Sequence, residues 1–124
     1  MTCAFPVDHA AILVSSLERS MPYYRTLLPL LGFEQMPDGL WSNGAGFSLK
    51  FAEAEPGRRP YDRHGAGLNH LGFAAPGREA LLAVASGMAA AGFEVPDLQK
   101  LGKASALFMQ DPDGLRFEVS FHPG

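Results

Sequence analysis

His9-Ala10-Ala11-Ile12-Leu13-Val14 and His70-Leu71-Gly72-Phe73-Ala74-Ala75 are the two stretches on which the architecture turns. Each is a short apolar run opened by a histidine. Each leads through an amphipathic segment to Gly-Phe-Glu, at Gly32-Phe33-Glu34 in the first case and Gly92-Phe93-Glu94 in the second, with nearly the same spacing. One folding unit is therefore written twice. Paired units meet at a shared seam, where histidines on matched strands can converge on one point.

The residues between these landmarks repeat the same order of elements. An apolar run bounded by Asp8 and Ser15-Ser16 reads as a buried strand. Ser15 and Glu18 have capping-box spacing, with Leu17, Met21, Tyr24, Leu28 and Leu31 at helical intervals behind them. Pro22 is expected to distort the first turn, and Pro29 and Gly32 to end the helix. Short strands follow around 33–36, 39–42 and 46–51, split by Pro37-Asp38 and Asn43-Gly44 turns. The polar, turn-forming stretch from Glu53 to Gly67 reads as a connecting loop able to act as a lid. The second half gives a strand at 69–75, a helix at 78–91 and strands at 93–95, 104–110 and 115–121. Asp111-Pro112-Asp113-Gly114 forms a hairpin turn between the last two. The expected fold class is α+β: two β-α-β-β-β modules, about 7–53 and about 68–121, joined by a loop at 54–67 in a single domain, 1–124. Their mixed sheets are expected to pair into a concave, partly open barrel around a central site.

At 124 residues the chain can bury a real core as one domain. Its formal charge of −3 offers no excess of positive charge for phosphates or anionic lipid, so neither nucleic acid nor a membrane is an expected partner. A single cysteine, Cys3, precludes an internal disulfide and a thiolate zinc site, and points to a reducing, cytoplasmic setting. The segment Met1 to Pro6 lacks the basic and apolar regions of a signal peptide, and no later stretch approaches the roughly 20 apolar residues of a membrane span. Any bound metal must be held by nitrogen and oxygen.

Alternation along strands groups His9 with Ala11 and Leu13, His70 with Gly72 and Ala74, and Glu118 with Arg116 and Ser120. The opposite faces carry Ile12 and Val14, Leu71 and Phe73, and Phe117 and Val119, which suit packing beneath helices. The histidine and glutamate faces set small residues beside polar ones, as a concave surface filled by ligand requires. Two imidazoles and one carboxylate form a ligand set for a divalent transition metal that leaves positions open for water or substrate. His9, His70 and Glu118 are thus the candidate metal ligands, for Zn, Ni, Co, Mn or Fe. Each alone has an ordinary alternative, as a polar strand end or a surface carboxylate; the matched set argues for the ion.

With these residues placed, the chain resembles the vicinal oxygen chelate proteins, which include glyoxalase I, fosfomycin and bleomycin resistance proteins and extradiol dioxygenases. The resemblance runs over about 7–121. It rests on Asp8-His9 leading to Ser16-Leu17-Glu18-Arg19-Ser20, on Tyr23-Tyr24 before Leu31-Gly32-Phe33, on Asn69-His70-Leu71-Gly72-Phe73, and on Asp111-Pro112-Asp113-Gly114 followed by Glu118. It implies that His9, His70 and Glu118 are metal ligands, that the substrate chelates through two neighbouring oxygens, and that the chain is a homodimer. Some members have a fourth ligand, commonly glutamate, on the last strand of the first half. Lining Leu49-Lys50-Phe51 against Phe117-Glu118-Val119 puts Lys50 there, while a shift of one or two residues puts Leu49 or Ser48. None is a good divalent ligand, so the glyoxalase reaction, which leans on that glutamate as a base, is placed in doubt. Lys50 either steers an anionic substrate group or snorkels to solvent.

The function expected from the resemblance is that of a divalent-metal-dependent enzyme acting on a chelating, oxygenated small molecule. The ion acts as Lewis acid in a lyase, isomerase or transferase reaction, with Glu118 and Lys50 at the reacting centre. The alternatives are a non-catalytic drug-binding protein of the bleomycin-resistance type and a non-haem iron dioxygenase. Arg58, Arg59, Arg63 and His64 on the loop either meet a carboxylate or phosphonate or are simply solvated. Arg116 either orients Glu118 or points outward. Tyr23, Tyr24 and Trp41 read as core or subunit-contact residues. Neither a nucleophile paired with a base nor a glycine-rich phosphate loop is present.

Overall fold

The computed structural model describes residues 3–123; Met1 and Thr2 of the N-terminal segment and Gly124 lie outside the described residues. The elements run β1 (His9–Val14), α1 (Leu17–Leu30), β2 (Glu34–Gln35), β3 (Trp41–Ser42), β4 (Ser48–Glu53), β5 (His70–Ala74), α2 (Arg78–Ala90), β6 (Gln99–Leu101), β7 (Ala104–Gln110) and β8 (Arg116–Phe121). They form two four-stranded mixed sheets, ordered β1-β4-β3-β2 and β5-β8-β7-β6. In each, the first strand of the module pairs parallel with the last, and the other pairs are antiparallel. The α+β class and the two β-α-β-β-β modules expected from the sequence are what the chain builds.

Both helices end by the same device, which explains the duplicated Gly-Phe-Glu. Gly32 and Gly92 each adopt φ of 90°, a conformation glycine takes without a Cβ clash. The N–H of Phe33 then donates to the Leu28 carbonyl at 2.9 Å and that of Phe93 to the Met88 carbonyl at 3.1 Å, while Gly32 and Gly92 donate to Pro29 and Ala89. These are Schellman closures, and the phenylalanine just beyond each packs back into the core. Phe33 meets Phe73 at 5.9 Å between ring centroids, and Phe93 meets Tyr23 at 5.1 Å, so each module's helix stop contacts the other module.

The start of α1 differs from expectation. Ser16 is the N-cap and accepts from the Arg19 N–H at 3.1 Å. Ser15 is instead taken by the second module: its N–H donates to Asp113 Oδ2 at 2.8 Å and its hydroxyl donates to Asp113 Oδ1. The helix runs unbroken through Pro22 and Pro29. Ser16→Ala should lower stability by about 1 kcal/mol through loss of that cap, read as a shift in the urea midpoint at unchanged slope. A second correction concerns β6, which forms at Gln99–Leu101 and not at 93–95. Phe93 is committed to the helix stop and the core, and Pro96 has no N–H to offer a ladder.

One continuous core joins the modules. Tyr24 of α1 is fully buried and touches Phe51 of the first sheet and Phe117 of the second, at centroid distances of 4.3 and 5.7 Å. The helices also meet directly: a Cβ on Gly87 of α2 would stand 2.7 Å from Leu30 Cδ1 of α1, so glycine allows this approach. Consequently the helix-facing sides of both sheets are buried and their other sides face outward. Among the described residues no ladder joins β1 to β5, so within one chain the two sheets stay open to one another, in keeping with the partly open arrangement expected. The bulky side chains lie on the helix side, so packing of the helices takes precedence over closure of the sparse faces.

Candidate metal centre

The two parallel ladders are in equivalent register, which fixes how the modules correspond. His9 lies opposite Ser48 and Ala11 opposite Lys50; His70 lies opposite Arg116 and Gly72 opposite Glu118. Superposing His9 on His70 therefore superposes Lys50 on Glu118, with Ser48 matching Arg116. Of the positions left open by sequence, Lys50 is the counterpart of the glutamate. It is an exposed residue on the sheet face that carries His9.

Both histidines are oriented by the residue before them. Asp8 Oδ2 stands 2.7 Å from His9 Nδ1, and Asn69 Oδ1 stands 2.7 Å from His70 Nδ1. An amide oxygen only accepts, so His70 Nδ1 carries the proton and the lone pair of the neutral ring sits on Nε2. The duplicated Asx-His pairs thus present the same nitrogen in both modules, in the manner of metal-binding histidines held by an outer oxygen. Sequence reasoning noted Asp8 and Asn69 only as landmarks, and the repeated Asx before each histidine was the signal for this role.

His70 Nε2 lies 3.3 Å from Glu118 Oε1. Two acceptors at that separation call for a cation between them, either a proton on the imidazole or a metal ion. Glu118 is half-buried, with 21% of its side chain exposed, and His70 is 40% exposed. A Cβ on Gly72 would meet nothing within 4 Å, so the space beside the pair is open. His9 stands apart on the other sheet with 68% of its side chain exposed. Among the described residues, no three His, Cys, Asp or Glu side chains gather to hold an ion within one chain. The structure brings two of the expected ligands together and leaves the third facing outward.

A cleft of about 470 Å³ begins where this face of the second sheet ends. Phe108, the ladder partner of Glu118, lines it, as do Arg116, Arg63, Tyr23 and Asp111. Arg116 lies over Phe108, its Cζ 4.0 Å from the ring centroid, and so packs beside Glu118 without bonding to it. Asp111 is buried and accepts from the Tyr24 hydroxyl at 2.5 Å and from the backbone N–H groups of Leu115 and Asp113 at 2.8 and 2.9 Å. Burial pushes its carboxyl above the ordinary range, and the three donors only partly oppose that. The same burial, with the Asp111 charge, raises the Tyr23 phenol. The rest of the loop turns elsewhere: Arg58 pairs with Glu55 at 2.8 Å, and Arg58 and Arg59 flank a separate hollow beside Ser15 and Asp113.

Duplicated β-α-β-β-β modules, a histidine opening each first strand and a glutamate on the last strand define a class of protein whose sites are built on open sheet faces. The chain belongs to the glyoxalase/bleomycin resistance protein/dioxygenase superfamily, whose family model matches residues 7–119. Among solved structures it is similar to a proposed glyoxalase from Bacillus halodurans, at 24% identity and TM-score 0.82 over 94% of this chain and 95% of that one. It is also similar to a glyoxylase/bleomycin resistance protein/dioxygenase domain from Frankia sp. EAN1pec, at 22% identity and TM-score 0.80 over 98% and 100%. A third neighbour is the oxidase ChaP-H2, at 14% identity and TM-score 0.68 over 98% and 96%. No curated protein matches. Among the described residues no helix is long and apolar enough to cross a membrane.

Proposed function

We propose that the chain is a metal-dependent enzyme acting on a small oxygenated molecule, with its ion held by His70 and Glu118 of one copy and His9 of a second copy in a homodimer. The observation that carries this reading is the 3.3 Å approach of His70 Nε2 to Glu118 Oε1, with His70 Nδ1 already committed to Asn69. Members of this superfamily commonly bind divalent metals, and two imidazoles with one carboxylate suit such an ion. The need for a second copy follows from the outward face of β1, where His9 and the 64% exposed Leu13 have no cover from their own chain. A twofold dimer would place this face on the partner's second sheet and form two identical sites.

The ion, when bound, would supply Lewis acidity to a substrate that chelates through two oxygens. The protein's own contribution is positional. Asp8 and Asn69 fix the imidazoles, Glu118 brings the negative charge, and the open space beside Gly72 admits the ligand. With Glu118 engaged and Lys50 at the matching position, no second carboxylate among the described residues stands at the site as a base. A lyase or isomerase reaction would then need Glu118 itself, or a basic group of the substrate, to take the proton, and a transferase reaction a nucleophile brought by the second substrate. Lys50 would face the site from the His9 sheet and attract an anionic part of the substrate. The dioxygenase alternative would require iron at the same ligands.

Metal analysis of protein purified without chelator tests this reading, with about one ion per chain expected. Metal-free protein that binds a small molecule tightly would favour the bleomycin-resistance type of binding module. That second reading draws support from Lys50, a cation where a fourth ligand would stand. Asn69→Ala should weaken metal affinity about 10- to 100-fold while leaving the ligands in place, because the imidazole loses its fixed orientation. Competition with a metallochromic chelator measures this directly.

A further inference from the structure

Two arginines at the cleft beside the candidate metal pair have no partner of their own. Arg63 comes from the connecting loop and Arg116 from β8, and among the described residues neither guanidinium makes an ion pair or a hydrogen bond. The contrast with the other hollow is instructive. There Arg58 is matched by Glu55 and Arg19 approaches Asp113 at 3.5 Å, which leaves Arg59 as the one arginine of that lining without a partner among the described residues.

Arg116 is also pre-oriented. Its guanidinium carbon lies over the Phe108 ring, 4.0 Å from the centroid, a cation–π contact that seats the group while using none of its N–H donors. Tyr23, Phe93, Met109 and Pro112 give the same 470 Å³ space an apolar wall, beside the amides of Gln99 and Gln110, and its size is one that takes small organic ligands. Two acidic residues share the lining. Asp111 has its oxygens taken by Tyr24, Leu115 and Asp113, while Glu94 forms no ion pair among the described residues and works against an anion, which must therefore be held by direct pairing with the arginines.

We propose that this cleft is a recognition site for an organic carboxylate with a flat apolar body, the carboxylate paired with Arg116 and Arg63 and the body lying against Tyr23, Phe93 and Phe108. A guanidinium seated on a ring with its N–H donors uncommitted is matched to the two oxygens of a carboxylate, which it binds through paired N–H donors. Arg116 stands directly across the ladder from His70, and Phe108 across from Glu118. The acid would therefore extend from the metal pair, and Arg116 would select which oxygenated molecules enter. Occupancy of the cleft does not need the ion. Only the assignment of the bound acid as substrate rests on the reading given above.

The test is calorimetric binding of phenylacetate, with its neutral isostere phenylacetamide as control, to the full chain in excess EDTA. Phenylacetate should bind at least about tenfold more tightly than phenylacetamide, and Arg116→Gln should erase that preference. Arg116→Lys should restore only part of it, because the charge returns without the fork of paired donors. His70→Ala should leave phenylacetate binding unchanged. Equal affinity for acid and amide would overturn the proposal on the wild-type chain alone, whatever the variants do. Loss of binding in His70→Ala would overturn it by placing the acid on the metal pair. Retained binding in EDTA alongside a metal-free native protein would uphold the cleft and sink the metal reading, so the two failures are separable.

Discussion

Asp111→Ala should lower the unfolding free energy by about 3–5 kcal/mol, a large share of the roughly 5–15 kcal/mol that holds a domain of this size together. The carboxylate is almost fully buried and takes three donors: the Tyr24 hydroxyl from α1 and the backbone N–H groups of Asp113 and Leu115 in its own hairpin. Alanine leaves all three without partners in the core. It also removes the polar tie between the first module's helix and the second module's β7–β8 turn, where Gly114 at φ of 90° closes the chain back on the Asp111 carbonyl. The conservative change Asp111→Asn should be milder. The amide oxygen introduced there still accepts from the two backbone groups, and its nitrogen can donate to the Tyr24 oxygen, so a loss of about 1–2 kcal/mol is expected.

The same pair of variants separates geometry from charge. Burial raises the Asp111 carboxyl in the folded chain, so the native state holds this proton more tightly than the unfolded state does. Its contribution to stability is therefore fully present below the ordinary aspartate value, about 3.9, and falls as pH rises through the raised folded value. Asp111→Asn cannot titrate and should show a flatter stability profile over that interval. Urea midpoints across mildly acidic pH measure this. A profile for Asp111→Asn that falls as steeply as the wild type would show that some other group carries the titration.

Much of this arrangement was legible in the residues because it rests on local rules. The two apolar runs, the glycines that stop both helices and the Asp-Pro-Asp-Gly turn each act within a few positions, so the order of elements follows from them. What sequence could not resolve depends on contacts between modules. Ser15 has the spacing of a helix cap, yet Asp113, distant in the chain, claims it and leaves Ser16 to cap α1. Phe93 looks like the start of a strand by type, yet packing on Tyr23 holds it in the helix stop and moves β6 downstream. Lys50 and Ser48 could not be told apart as the counterpart of Glu118 until the two ladders fixed the register. The matched histidines were visible because the unit is repeated. Their separation onto outward faces was not, because it depends on the helices packing together in preference to the sheets closing.

The second large effect follows from that separation. Glu118→Gln removes the negative charge from the candidate centre and His70→Ala removes its neighbour at 3.3 Å, so either should reduce bound metal from about one ion per chain to under about a tenth. His9→Ala should do the same, although His9 shares no cluster with them in its own chain. The stability of all three variants should stay close to that of the metal-free wild type, since these side chains line a solvent-reached face and not the core.

Mixing two inactive variants tests most directly whether the ion lies between copies. His9→Ala and His70→Ala chains, each unable to hold metal alone, are unfolded together, refolded and assayed for bound ion. In a mixed dimer one seam has lost both histidines and the other has kept both, so random pairing should restore about a quarter of the wild-type metal. Recovery near that level is the expected result. No recovery, from a mixture shown to contain mixed dimers, would contradict a centre shared between His9 of one copy and His70 with Glu118 of the other.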